Sequence, residues 1–246
     1  MADVRNLFHI LETVDSTNNY AMGMVRKGIW KHGNACLAYE QTGGKGRRGK
    51  SWESKKRDNI LLSLVIDTSM LCISSQFLLS MVASLSCYSL FLKYAKKKVK
   101  IKWPNDIYWD DRKAAGILVE NVIQGKKWQW AIVGIGMNIN QDNFDGYESR
   151  RISLSQVTGK RYDVIDLSKE LYKLIYSNYD ILKAGNSKEL LTLYNDHLYK
   201  KNEKVTFRKG LETFVTTIKE VAMDGGLLVS DTQERRLEFD EIDWIF

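Results

Sequence analysis

Short apolar runs alternate along this chain with stretches of helical spacing. Residues 7–14 (LFHILETV), 35–40 (ACLAYE) and 59–66 (NILLSLVI) are compact apolar runs that predict strands. Between the first two, Asp15-Ser16-Thr17-Asn18 offers Ser16 or Thr17 as the cap of a helix running to about Gly28. Residues 76–93 instead space Phe77, Leu78, Met81, Val82, Leu85, Tyr88 and Leu92 three and four apart, which predicts a helix. Residues 99–109 (VKIKWPNDIYW) read as extended and broken at Pro104, because proline lacks an amide proton and restricts the residue before it. Residues 113–123 and 128–137, joined by Gln124-Gly125-Lys126-Lys127, predict a hairpin. Helical spacing returns over 165–182 and 187–200, and from about 203 the chain alternates again around the turn signal Asp224-Gly225-Gly226. The pattern predicts an α/β fold, a mixed sheet with packed helices over residues 1–200, followed by a small β unit over 201–246.

Composition narrows the class. With 246 residues, 44% hydrophobic and 27% charged, the chain has the make-up of a globular protein large enough to fold without disulfides. Cys36, Cys72 and Cys87 show no CxxC spacing, so they read as small buried residues in a reducing compartment rather than as a zinc site or a disulfide framework. The first ten residues lack the basic-then-apolar order of a signal peptide, and a cytoplasmic location is expected. No charge falls between Asp67 and Lys93, but seven serines and the helical spacing point to a helix buried against a sheet, not to a membrane span.

The net charge of +7 is concentrated in two places. Residues 43–57 hold seven Lys/Arg and one acid, and residues 93–102 hold six lysines and no acid, so the remainder is mildly acidic. The first cluster is Gly43-Gly44-Lys45-Gly46-Arg47-Arg48-Gly49-Lys50-Ser51-Trp52. Its glycines allow close backbone approach, its cations suit phosphate or carboxylate oxygens, and Trp52 adds a flat apolar face. Residues 44–51 formally fit a P-loop pattern, yet a strand rather than a helix is expected downstream, which contradicts P-loop context. Taken alone, the loop reads equally well as a solvated basic segment. Lys102-Trp103-Pro104-Asn105-Asp106 contains the only proline of the chain, and its Asn and Asp can bind a ligand or simply form a turn. Lys113, followed by Gly116-Ile117-Leu118, places a charge at the start of a strand. Gly134-Ile135-Gly136-Met137-Asn138 lacks the spacing of a dinucleotide fingerprint, but two strand-end glycines admit a flat ligand.

Together with Ser16-Thr17-Asn18, these segments resemble, in order, the motifs of the bacterial biotin–protein ligases: the Ser-Thr-Asn, the GRGRRGRxW loop, KWPND, KxxGIL and GxGxN. The resemblance implies a catalytic domain like that of class II aminoacyl-tRNA synthetases, followed by a small SH3-like C-terminal domain. It implies an ATP-dependent ligase in which the biotin carboxylate attacks the α-phosphate of ATP, giving biotinyl-5′-AMP and pyrophosphate. The activated acyl group then passes to one lysine of a biotin carboxyl carrier protein. Lys113, Arg47 and Asp106 would be the catalytic groups. Ser16, Thr17, Asn18, Gln41, Lys45, Gly46, Arg47 and Lys113 would hold biotin, and Arg47, Arg48, Trp52, Lys102, Asn105 and Asn138 would lie at the nucleotide. Mg²⁺ is expected with ATP; a protein metal site is left unspecified.

Lys45 and Lys50 stand where the family commonly has arginine, and lysine cannot make the bidentate fork. Some members carry a DNA-binding helix-turn-helix ahead of the catalytic motifs. With Ser16 so near Met1, a ligase without DNA binding and without membrane association is expected, and a homodimer is left open. The alternatives are a lipoate–protein ligase or related carrier-lysine acyltransferase, a nucleic-acid-binding module using the basic loop, and a binding protein without catalysis. The loop with KWPND favours biotin over lipoate, and the presence of Lys113 and Arg47 argues against loss of catalysis.

Overall fold

A computed structural model describes residues 7–124, 127–144, 150–231 and 233–246. In chain order the first part contains β1 (Phe8–Leu11), α1 (Thr17–Arg26), β2 (Ala35–Ala38), β3 (Ile60–Asp67), α2 (Phe77–Ala95), β4 (Val99–Lys102), β5 (Asp106–Trp109), β6 (Arg112–Gln124) and β7 (Lys127–Met137). Three helices follow, α3 (Leu154–Thr158), α4 (Val164–Lys183) and α5 (Ser187–Asp196). The last part is all β: β8 (Lys204–Lys209), β9 (Glu212–Val221), β10 (Leu227–Ser230), β11 (Glu234–Leu237) and β12 (Asp243–Ile245).

The strands form two sheets. The larger has seven strands in the order β1-β2-β3-β7-β6-β5-β4, with β1 and β2 parallel and the other neighbours antiparallel. The smaller has five, in the order β11-β10-β9-β8-β12. The expected α/β class and the β unit at the end are both present. Gly125 and Lys126, at the tip of the expected β6–β7 hairpin, lie outside the described residues. The short α3 has no counterpart in the periodicity reading. It is announced only by its capping box, in which Ser153 and Gln156 satisfy each other's backbone amides.

Side-chain alternation sends Ile60, Leu62, Leu64 and Ile66 of β3 to the face covered by α2 and α4. Helix α2 is buried along most of its length in this core, as expected of an apolar helix with small serines on its surface. Ser86, for example, donates to the Val82 carbonyl at 2.7 Å and accepts from Asn178 at 2.9 Å. On the opposite face, α1 covers only a small cluster of Ala21, Val25, Trp30, Cys36, Val65, Val122 and Ile132. The rest of that face carries small side chains: Ser63 sits opposite Gly134, and Gly116 opposite Gly136. Of the cysteines, Cys36 and Cys87 are buried as expected, but Cys72 is exposed, because it lies in the connection before α2 rather than on it.

Candidate functional site

The uncovered face becomes a cleft of about 980 Å³. Its floor runs across the strands rather than along them. Ser63 of β3 pairs with Gly134 of β7, Gly136 of β7 with Gly116 of β6, Gly116 with Asp106 of β5, and Asp106 with Lys102 of β4. Four strand spacings of about 4.8 Å make a floor roughly 19 Å long. Every candidate residue named from the sequence lines this one cleft.

At the β3 end lies a closed network of polar side chains. Ser16 occupies the N-cap of α1 in extended backbone, but its hydroxyl makes no cap bond and is left to the cleft. Gln41 caps the helix instead, its Oε1 accepting from the Thr17 amide at 2.8 Å and the Thr17 hydroxyl at 2.9 Å. The Asn18 amide donates to Glu120 at 2.7 Å, and its Oδ1 accepts from Ser63 at 2.6 Å. Asn18 can reach so far only because residue 134 has no side chain. A Cβ there would lie 2.2 Å from Asn18 Oδ1.

The middle of the floor holds the ion pair. Lys113 Nζ sits 2.7 Å from Asp106 Oδ1. Strict alternation along β6 would point Lys113 away from the cleft, since Gly116 faces it. The register between β5 and β6 shifts at Ile107/Tyr108, and Ala114 and Ala115 both pack into the core, so Lys113 turns to the cleft side. The Trp52 indole lies across Gly136 and Gly116, where a Cβ would meet it at 2.3 and 3.0 Å. The flat group over these glycines is thus one of the chain's own rings, and Lys113 Nζ stands 5.7 Å from its centre.

The amides of Asn105 and Asn138 are spent on the backbone: Asn105 donates to the Ile117 carbonyl, and Asn138 to those of Lys113 and Ile152 at 3.3 Å each. Both therefore pin the strand ends that present Lys113. Lys102, at the β4 end, is buried, and this desolvation lowers its pKa to about 8 even though Asp106 draws it upward.

The basic loop forms the roof. Residues 44–52 make a small hairpin, with the Gly46 amide donating to the Lys50 carbonyl at 2.6 Å and the Trp52 amide to the Gly44 carbonyl at 2.9 Å. No helix follows Ser51, so the P-loop match has no P-loop geometry. Lys45 donates to Asn19 at 2.7 Å, beside the polar network. Arg47 pairs with Asp240 at 3.0 Å and lies 4.3 Å from the Phe239 ring. Arg48 donates to Asp243 and to the Ile242 and Phe239 carbonyls at 3.0–3.2 Å. The second sheet is therefore a wall of the cleft, also anchored where Trp103 donates to the Gly225 carbonyl at 2.8 Å. Arg48→Ala should release the hairpin from this wall. Tryptic cleavage within residues 45–57 should then speed up several-fold, at a stability cost of about 1–2 kcal/mol for partly exposed charged hydrogen bonds. Unchanged cleavage would show that the wall does not hold the roof.

Ser63, Glu120, Arg150 and Arg151 also belong to the site and were not identified from sequence. The segment 150–152 reaches it by pairing with Lys113, whose amide donates to the Arg150 carbonyl. An Arg-Arg pair after a polar stretch carries no signal of its own. Among the described residues, no group of three or more His, Cys, Asp or Glu is placed to hold a metal ion.

A cationic cleft laid across a mixed sheet, polar at one end and walled by a second sheet, defines a small-molecule-binding domain suited to a long anionic ligand. The chain belongs to the biotin/lipoate A/B protein ligase family, whose model matches residues 10–138. It is 39% identical over 131 residues to the bifunctional ligase/repressor BirA of Escherichia coli (strain K12), covering 53% of this chain and 39% of that protein. It is 29% identical over 135 residues to the biotin–[acetyl-CoA-carboxylase] ligase of Mycobacterium tuberculosis (strain ATCC 25618 / H37Rv), covering 54% and 49%. The chain thus spans less than half the length of these two curated relatives. The fold matches a biotin protein ligase from Aquifex aeolicus solved in complex with biotin and ATP, with a TM-score of 0.81 and 25% identity over 97% of this chain and 98% of that one. The family resemblance and fold class expected from the sequence are borne out.

Proposed function

We propose that this protein is a biotin–protein ligase, using ATP to activate biotin and transferring it to one lysine of a biotin carboxyl carrier protein. The observation that carries this reading is the order of groups along the floor. A donor- and acceptor-rich pocket at Ser16, Thr17, Asn18 and Gln41 is followed by Lys113 and Asp106, and then by Lys102. A ureido ring, which offers two N–H donors and a carbonyl, suits the first segment. The carboxylate then falls at Lys113, and the polyphosphate extends toward Lys102 under Arg47 and Arg48. The lipoate reading fits less well, because a dithiolane ring leaves such a polar pocket unsatisfied.

In the first step a biotin carboxylate oxygen attacks the α-phosphorus and pyrophosphate leaves. Bringing two anions together and building further charge requires fixed cations, which Lys113, Arg47 and Lys45 supply. Mg²⁺ bound with the nucleotide would screen the charge of its phosphates. In the second step the carrier lysine amine attacks the acyl carbon and AMP leaves. Asp106 accepts from Lys113 and orients it, and we assign it the role of helping to position or deprotonate the incoming lysine. We assign residues 1–200 to the catalytic domain and 201–246 to the small C-terminal domain, in a cytoplasmic enzyme. The test is incubation with biotin, MgATP and a carrier domain, followed by mass analysis. One biotinyl group on one lysine is expected; modification with lipoate in its place, or none, would overturn the assignment.

A further inference from the structure

Lys102 is held unlike any other cation of the cleft. Its Nζ lies 4.8 Å from the Tyr108 ring, 4.8 Å from the Trp244 ring and 4.6 Å from the Phe246 ring. The residue is 8% exposed, and its ammonium donates to the Tyr108 hydroxyl at 3.2 Å. Tyr108 belongs to the large sheet, whereas Trp244 and Phe246 come from the edge of the small one. Phe246 also holds a second cation, with the Arg150 guanidinium 4.2 Å from its ring centre. Phe246 is itself 54% exposed, so it stands in the cleft between two cations rather than in a core.

A cation–ring contact is a weak attraction to the ring's quadrupole, whereas a phosphate oxygen forms a charge-assisted hydrogen bond with the same cation and neutralises it. A polyphosphate at the β4 end would therefore take both cations from the ring. We propose that Trp244 and Phe246 form an aromatic gate at this end of the cleft, which occupies Lys102 and Arg150 while the cleft is empty and gives them up to the phosphates of the ligand. Phe246 is then a positioning residue acting through Lys102. The ligase reading bears on this only in naming the nucleotide as the source of the phosphates.

The two rings also contribute to the burial that governs when Lys102 is charged. The groups facing it are Asp106 of β5, Tyr108 of β5, Lys113 of β6, Lys50 of the basic hairpin and Arg150. Burial outweighs the attraction of Asp106 and brings the pKa to about 8. Between pH 7.5 and 9 the caged ammonium loses most of its charge, whereas an uncaged lysine, with a pKa near 10.4, keeps it.

The experiment is calorimetric titration of inorganic pyrophosphate into the wild type, Phe246→Ala, Phe246→Tyr and Lys102→Met at pH 7.5 and pH 9. Variants are compared at the same pH, so the titration of pyrophosphate itself cancels. Phe246→Ala should bind about 2- to 5-fold more tightly than the wild type at pH 7.5, from the lost competition of the ring, and a further ~5-fold more tightly at pH 9. Phe246→Tyr, which keeps the ring, should behave as the wild type, and Lys102→Met should bind weakly at both pH values. A Phe246→Ala advantage that is absent or identical at the two pH values would overturn the gate, as would a Phe246→Tyr variant resembling the alanine one. Lack of biotinylation with these pyrophosphate results intact would instead count against the ligase reading alone.

Discussion

Lys113→Met should lower the biotin-dependent exchange of pyrophosphate into ATP by about 10³-fold in kcat/KM, with most of the loss in kcat. Removing one preorganised donor at a developing charge typically costs 10²–10³-fold, and Lys113 is a full cation already held in position. Its Nζ is fixed 2.7 Å from Asp106 and lies close to Gly116, where an added methyl would come 3.2 Å from Nζ. A planar guanidinium on a longer stem cannot keep a single charge at the point the ammonium occupies beside Asp106, so Lys113→Arg should restore charge without restoring rate. Asp106→Asn should lose less in the exchange reaction than Lys113→Met, because it removes an orienting partner and leaves the cation. The reading fails if Lys113→Met retains a tenth of wild-type kcat/KM, or if arginine rescues it.

Gly134→Ala should be the most damaging single methyl on the floor. The new Cβ would come within 2.2 Å of Asn18 Oδ1 and 2.8 Å of its Cγ. Asn18 would have to leave, breaking its bonds to Ser63 and Glu120. Two hydrogen bonds lost, one buried and one partly buried, with their partners stranded, amount to about 3 kcal/mol, or a fall in melting temperature of roughly 8 °C. Biotin binding should be lost with them. Combining Gly134→Ala with Asn18→Gly should recover much of the stability, since the clash is gone, but not biotin binding, since the amide is gone too. Additive losses in the double variant would show that the two positions do not interact.

The long elements were legible because their periodicity survives tertiary packing. β3, α2 and α4 are all read close to their observed bounds, since each carries a long apolar run or stripe that stays in the core. The five motif segments were legible as chemistry, because cations, glycines and a Trp in close sequence are rare. Roles were less legible. Asn138 looks from its motif like a ligand contact, yet its amide braces the Lys113 backbone. The two strand glycines look like room for a ligand, yet they seat Asn18 and Trp52. Ser63 and Glu120 sit in ordinary apolar runs, and nothing local marks them as partners of residues tens of positions away.

By itself the sequence determined the element types, the family resemblance and the stock of cations, because these depend on local periodicity and on residue chemistry. The tertiary structure decided direction and company. A register shift at the β5–β6 pair, set by the packing of Ala114 and Ala115, turns Lys113 into the cleft against simple alternation. Strand order, which local propensity does not encode, lines up residues 63, 134, 136, 116, 106 and 102 into one floor. The closing wall comes from residues 239–246, almost two hundred positions from the arginines they hold. Such contacts arise only when the two sheets dock, and no periodicity within either segment records them.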